Sequence, residues 1–146
     1  MPKTFMMKLD KIQPTQLYIS SEKLSEVMKN LDPKNPKAME PTPIKKLGNE
    51  IIFVDGHTRG FAAFLHGFSE IPVYWEDEEL DWDAYKICLK WCKKEKIRTT
   101  ADLKNRIVPQ EDYEILWYKR CEKMQQNLEL RRKLHSGLKQ MLPSGP

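Results

Sequence analysis

Apolar residues follow two different patterns along the chain, and the pattern changes near residue 77. After that point they recur every three or four positions, which predicts helices. Before it, short apolar runs are separated by turn residues, which is typical of strands. The predicted strands cover residues 5–12, 44–47, 50–54 and 71–75.

Two helices are predicted among these strands. A serine N-cap and an acid in the first turn, Ser20 and Glu22, predict a helix over residues 21–31. A second helix follows from Phe61 and ends at Gly67, where a helix C-cap is expected. The order strand, helix, hairpin, helix, strand predicts a small mixed α/β sheet with helices packed on it.

Turn residues place the hairpin and one long loop. Gly48-Asn49 joins the second and third predicted strands, and the run Ile51–Val54 is apolar throughout, which predicts a central, buried strand. Four prolines fall within residues 32–43, so this stretch is an ordered loop or a mobile flap.

The second half is predicted to be helical throughout. We expect a helix of about fifteen residues from Trp82, a short helix opened by a capping box at Thr99–Asp102 and ending near Ile107, and a long helix from Pro109. Residues 1–77 are thus interpreted as an α/β domain and residues 78–146 as an all-α extension. The long helix would bury Tyr113, Leu116, Trp117, Cys121, Met124 and Leu128.

Composition narrows the class of protein. Of 146 residues, 32% are charged, and no run approaches the roughly twenty apolar residues that a membrane-spanning helix needs. The three cysteines fit reduced thiols, so the expected compartment is the cytoplasm. The net charge of +4 comes entirely from residues 78–146, which permits DNA or a protein partner there without requiring one.

The stretch Asp55–Gly60 carries the most chemical information. A strand enters a glycine turn and continues directly into a helix, so the free N–H groups of the first helical turn point into one space that suits a phosphate. Gly56 lets a ligand approach the backbone closely, while the side chains of His57, Thr58 and Arg59 offer hydrogen-bond donors. Asp55 is suited to Mg²⁺ beside the phosphates or to accepting a proton from a hydroxyl.

A purely structural interpretation of the same turn stays open. In that interpretation Asp55 caps the helix, Gly56 only turns the chain and Arg59 pairs with a surface acid.

Taken together, these segments resemble the ParB/sulfiredoxin-like superfamily over residues 5–77. The matching pieces are Ile12–Gln16, Leu24–Leu31, Pro43-Ile44, Val54–Arg59, Phe61–Gly67 and Ile71–Val73. The resemblance implies that this turn binds the phosphates of a nucleotide (ATP, ADP or CTP) together with Mg²⁺. Family members use this fold as a CTP-operated partition switch, an ATP-dependent reductase of oxidised cysteine, a free serine kinase or a nuclease, so fold alone does not select the activity.

Individual positions narrow that choice. His57 stands where sulfiredoxins carry their nucleophilic cysteine, so sulfiredoxin activity is not expected. The turn is most similar to the Asp-Gly-His-His-Arg of the serine kinases, with Thr58 replacing the second histidine. Gln16 occupies the place of the kinase's glutamate; it can position a hydroxyl but cannot take its proton, which leaves Asp55 as the base.

Three functions follow as hypotheses. The first is nucleotide-phosphate binding at residues 55–59, with Gln16 and the proline loop lining the opposite wall. The second is phosphoryl transfer to a small molecule, ahead of nuclease activity. The third is a DNA-associated adaptor without catalysis that uses the basic run Lys90–Arg98; the same run also fits a solvated helix end.

Overall fold

The computed structural model describes residues 2–141. Its strands are β1 (Thr4–Lys8), β2 (Ile19–Ser20), β3 (Thr42–Leu47), β4 (Glu50–Phe53), β5 (Glu70–Trp75) and β6 (Ile107–Val108). Its helices are α1 (Ser21–Asn30), α2 (His57–Leu65), α3 (Trp82–Lys94), α4 (Gln110–Tyr113) and α5 (Lys119–Met141), with a π-helical turn at Glu114–Tyr118 joining the last two.

The main sheet is mixed, as predicted, with strand order β1-β5-β3-β4. The strands β3 and β4 form the predicted antiparallel hairpin, and Gly48 at its turn has φ +64°. The strand β5 pairs in parallel with β3 and antiparallel with β1. The central position therefore belongs to β5 and β3.

The prediction that Ile51–Val54 forms a central strand is wrong, because β4 lies at the edge of the sheet. Its apolar side chains are nevertheless needed, since Ile52 and Phe53 are almost completely buried. The segment at Gln13 covers the free edge: its N–H donates to Ile51 O at 2.8 Å and its carbonyl accepts from Phe53 N at 3.1 Å. A covered edge strand has the same composition as a central one.

Local signals around the first two helices are confirmed, whereas the first strand is shorter than predicted. The Ser20 hydroxyl accepts the Lys23 N–H at the start of α1, and Gly67, with φ +80°, follows the end of α2. The first strand stops at Lys8, because Leu9–Lys11 form a 3-10 turn whose Leu9 points into the core.

The second half is helical apart from β6. The capping box of Thr99 and Asp102 is present, but the helix that it opens is a 3-10 turn ending at Leu103. The following residues, Ile107–Val108, instead pair in parallel with β2. This pairing joins the second half to the first.

The long helix buries most of its predicted face. Tyr113, Trp117, Met124 and Leu128 are buried, whereas Leu116 is 39% exposed, so its predicted burial is wrong. The π-helical turn directs the larger Trp117 into the core and leaves Leu116 at its margin.

Both halves contribute to one hydrophobic core. Phe61 and Ile19 pack in the same cluster as Cys92, Ile97 and Trp117. The division at residue 77 stays a prediction about sequence organisation. Within residues 2–141, no helix is long and apolar enough to cross a membrane.

Candidate functional site

The turn between β4 and α2 leaves the start of the helix uncapped. Asp55 is exposed, and its Oδ1 accepts the N–H of Gly56 at 2.8 Å instead of capping the helix. Gly56 occupies the N-cap position, and no side chain caps α2. The first helical bond runs from Gly60 N to Gly56 O, so the N–H groups of residues 57–59 have no acceptor within the helix.

Gly56 is required at this turn for two reasons. Its φ of +79° lies in the left-handed region that disfavours side chains. A Cβ at this position would also lie 2.8 Å from Nη2 of Arg59 and 3.0 Å from Cγ2 of Thr42. The guanidinium of Arg59 therefore folds back over the bare backbone of Gly56.

His57 is buried and tied to the segment that follows Pro14. Its Nε2 accepts the backbone N–H of Thr15 at 2.9 Å, and its ring lies 5.0 Å from that of Phe53. Burial lowers the pKa of His57 to about 4, although the negative charge of Asp55 opposes this shift. The ring is therefore neutral near pH 7, with its proton on Nδ1, and only Nδ1 is free to donate to a ligand.

Gln16 lies beside the turn, in a cavity of about 200 Å³ that Asp55 and His57 also line. Its Nε2 donates to Tyr18 O at 2.8 Å and to the Tyr113 hydroxyl at 2.9 Å, so the amide is already oriented. The other walls of this cavity come from the second half of the chain and include Tyr85, Trp117 and Cys121.

Tyr85 is a member of this site that the sequence did not single out. Its hydroxyl donates to Val54 O at 3.0 Å, which fixes the end of β4. Burial raises the pKa of Tyr85, and the nearby charge of Asp55 adds to the shift. The helical spacing of Tyr85 predicted that it is packed but gave no sign of the element that it contacts.

Arg59 faces a second cavity, of about 260 Å³, on the other side of the turn. Its Nη1 lies 2.7 Å from Oε2 of Glu40, whose side chain is 76% exposed. Met39 is buried against the sheet and anchors the proline loop, which brings Glu40 to the guanidinium. The proline loop and Gln16 therefore border different cavities rather than one opposite wall. Thr58, between His57 and Arg59 in the sequence, is half-buried.

Two buried polar atoms beside Gly56 have no hydrogen-bond partner. They are Thr42 Oγ1, on a residue that is completely buried, and Nε of Arg59. Both atoms are closed off from solvent, so they lie unpaired inside the fold rather than on the surface of the turn. No local pattern in the sequence marks Thr42, because its position depends on the pairing of β3.

The thiols lie in the core beside the first cavity. Cys92 is fully buried, and Cys88 on α3 is hydrogen-bonded to Cys121 on α5. Within the part of the chain that the structure describes, no three His, Cys, Asp or Glu side chains cluster as a metal site.

No protein-family model and no curated protein matches the sequence. Solved structures that are similar in fold include those of three proteins. The protein Atu1540 from Agrobacterium tumefaciens has a TM-score of 0.47 and 13% identity over 70% of this chain and 62% of that one. Sulfiredoxin from Arabidopsis thaliana has a TM-score of 0.45 and 16% identity over 60% of this chain and 98% of that one.

The third is the C-terminally truncated chromosome-partitioning protein ParB from Caulobacter crescentus, in complex with CTP-γ-S. It has a TM-score of 0.41 and 15% identity over 63% of this chain and 52% of that one. This chain thus spans about three fifths of Atu1540 and half of that ParB. These likenesses support a ParB/sulfiredoxin-like fold, and at identities of 13–16% they concern the fold alone.

Proposed function

We propose that this protein binds the phosphates of a nucleotide at the start of α2. The observation that carries the proposal is the uncapped N-terminus, where Gly56 exposes the backbone and three successive N–H groups lack acceptors. A phosphate accepts several such hydrogen bonds at once and is favoured by the positive end of the helix dipole. His57 Nδ1, the Thr58 hydroxyl and Arg59 would add donors around it.

Arg59 would contact the phosphate after giving up its ion pair with the carboxylate of Glu40. Its present partner, Glu40, is exposed, and a surface ion pair of this kind contributes only about 0–1 kcal/mol. A phosphate offers the guanidinium two parallel hydrogen bonds, which a flexible surface carboxylate does not hold as firmly.

The residues fit a magnesium ion that arrives with the nucleotide. Asp55 is exposed beside the turn, and only its Oδ1 is used, by the N–H of Gly56. Mg²⁺ is commonly held by one or two carboxylates together with phosphate oxygens and water. Asp55 would thus supply one ligand, and the nucleotide, ATP, ADP or CTP, would supply others.

Phosphoryl transfer to a small molecule is the second candidate, because the 200 Å³ cavity brings Asp55 and Gln16 to the same space. Asp55 would accept the proton of a substrate hydroxyl, and Gln16 would orient that hydroxyl. An Asp55→Asn variant would then retain nucleotide binding and lose Mg²⁺-dependent transfer. The third candidate, contact with DNA, rests on a different surface.

A thermal-shift screen of ATP, ADP, CTP and GTP with Mg²⁺ tests the proposal. A ligand at about a hundred times its dissociation constant adds about 2.7 kcal/mol to the free energy of unfolding. Arg59→Ala is expected to abolish the shift. Arg106→Ala is the matched control, because Arg106 is similarly buried and pairs with a surface acid, Glu95, away from the turn. A shift that persists in Arg59→Ala, or no shift with any nucleotide, contradicts the proposal.

A further inference from the structure

A second surface, distinct from the turn, lies where α3 and α5 pack against each other. The two helices run side by side, and a groove of about 460 Å³ opens along their seam. Basic side chains from both helices line it, and no acidic residue does. They are Lys90, Lys94, Arg120, Lys123 and Arg131.

These five cations are unpaired. Within residues 2–141, none of them takes part in an ion pair, although neighbouring basic residues do: Lys93 pairs with Glu50, and Arg132 pairs with Asp81 and Asp83. A solvated helix face usually mixes charges of both signs. A groove walled by one sign of charge instead concentrates positive potential and favours a bound polyanion.

The arrangement is linear rather than pocket-like. On α5 the cations extend from Arg120 to Arg131, a rise of about 17 Å at 1.5 Å per residue. Lys90 and Lys94 follow the facing helix one turn apart. At about 3.4 Å per nucleotide along one strand, 17 Å spans about five phosphates. This length matches a nucleic-acid strand better than a single phosphate group.

Trp91 indicates how such a strand would be contacted. The guanidinium of Arg120 lies 4.2 Å from the centroid of the Trp91 ring, so one face of the indole is already covered. The Trp91 ring also meets Trp117 in a T-shaped contact, at 6.1 Å between centroids. The groove thus offers charge to the backbone, and the Trp91 face that carries Arg120 is closed to a base.

We propose that the groove between α3 and α5 binds the phosphate backbone of a nucleic acid independently of its sequence. The concave shape favours a strand over a lipid bilayer, because a flat surface does not reach cations on both walls of a groove. The sequence pointed to the run Lys90–Arg98; the structure keeps Lys90 and Lys94 and removes Lys93, which is paired.

Fluorescence anisotropy with the full chain and a labelled duplex of about 20 base pairs tests this inference. Five phosphate contacts predict a slope of about −4.5 in a plot of log K against log salt concentration for the duplex, or about −3.5 for a single strand. The double variant Lys90→Gln/Lys94→Gln is expected to make this slope shallower by about 2. It is also expected to weaken binding about 60-fold at about 0.1 M salt.

Lys93→Gln/Lys104→Gln is the matched control, since it removes the same charge outside the groove and is expected to leave the slope unchanged. Thermal unfolding checks that both variants fold. The inference would be overturned if both double variants weakened binding equally, or if neither the duplex nor a single strand bound. It would also be overturned if the protein bound phosphatidylserine vesicles in place of DNA. Because Gly56→Ala leaves the groove intact, it should retain DNA binding even where it loses the nucleotide.

Discussion

The imidazole of His57 and the backbone of Thr15 are joined directly: Nε2 accepts the Thr15 N–H at 2.9 Å. The Thr15 hydroxyl also donates to Phe53 O at 2.9 Å, so the segment that carries Gln16 is held against the turn at two points. His57, which is predicted to donate to phosphate, thus also positions the segment that carries Gln16. Its remaining nitrogen, Nδ1, is the only part of the ring left for a ligand.

The burial of His57 makes stability depend on pH. The unfolded chain binds a proton on this histidine near pH 6.5, whereas the folded chain does so only near pH 4. Between these values the unfolded state holds more protons, so the free energy of unfolding falls as pH decreases, by up to about 3 kcal/mol from this group. Urea denaturation at a series of pH values measures the fall.

His57→Gln is expected to lose that component. Carboxylates and other histidines titrate in both proteins, so the difference between the two curves isolates His57. Parallel curves for the variant and the wild type between about pH 6.5 and pH 4 would show that His57 does not cause the dependence.

Replacing Gly56 by alanine is expected to destabilise the fold more than the same change at Gly48. Both glycines have positive φ, so both variants incur about 1–2 kcal/mol of backbone strain. A Cβ at residue 48 meets nothing within 4 Å, whereas one at residue 56 crowds Arg59 and Thr42. Chemical denaturation compares the free energies of unfolding of the two variants, so the extra loss in Gly56→Ala reports the crowding. Nucleotide titration compares their affinities.

Only Gly56→Ala should also weaken nucleotide binding. If the two variants lose equal stability and keep equal affinity, the space over Gly56 has no role in binding.

Removing the charge of Glu40 is expected to strengthen nucleotide binding. Glu40→Gln frees the guanidinium of Arg59 from its ion pair, and a surface pair of about 0.2–1 kcal/mol corresponds to a gain in affinity of about 1.4-fold to fivefold. Glu26→Gln is the control, because Glu26 lines the same cavity without pairing with Arg59. Isothermal titration calorimetry measures both, and equal gains would mean that only the overall charge matters.

The three thiols are expected to differ in reactivity. Burial raises the pKa of Cys92 to about 12, so a thiol reagent at about pH 8 should modify it only on unfolding. The hydrogen bond between Cys88 and Cys121 raises the pKa of the first and lowers that of the second. Peptide mass spectrometry after brief labelling should find Cys121 modified first; early modification of Cys92 would contradict its place in the core.

Local signals in the sequence predicted local structure well. The cap at Ser20, the glycine turns at Gly48 and Gly56 and the box at Thr99 each depend on residues within a few positions, and each is present. The hydrophobic spacing of α3 is likewise a local property.

Long-range pairing accounts for what the sequence did not predict. The edge of β4 is covered by the segment at Gln13, about forty residues away, and the pairing of β2 with β6 joins residues almost ninety apart. The partner of Arg59 followed from the anchoring of Met39, which no local pattern encodes. The motif thus identified the candidate binding residues, whereas their partners required the fold.

Nucleotide binding as proposed depends most on the free N–H groups at the start of α2, and amide spectroscopy observes them directly. In a nitrogen–proton correlation spectrum titrated with ATP, ADP and CTP in the presence of Mg²⁺, the amides of His57, Thr58 and Arg59 are predicted to shift together and to saturate with one dissociation constant. Amides that stay unmoved while nucleotide binds elsewhere, or a spectrum unchanged by every nucleotide, would contradict the account.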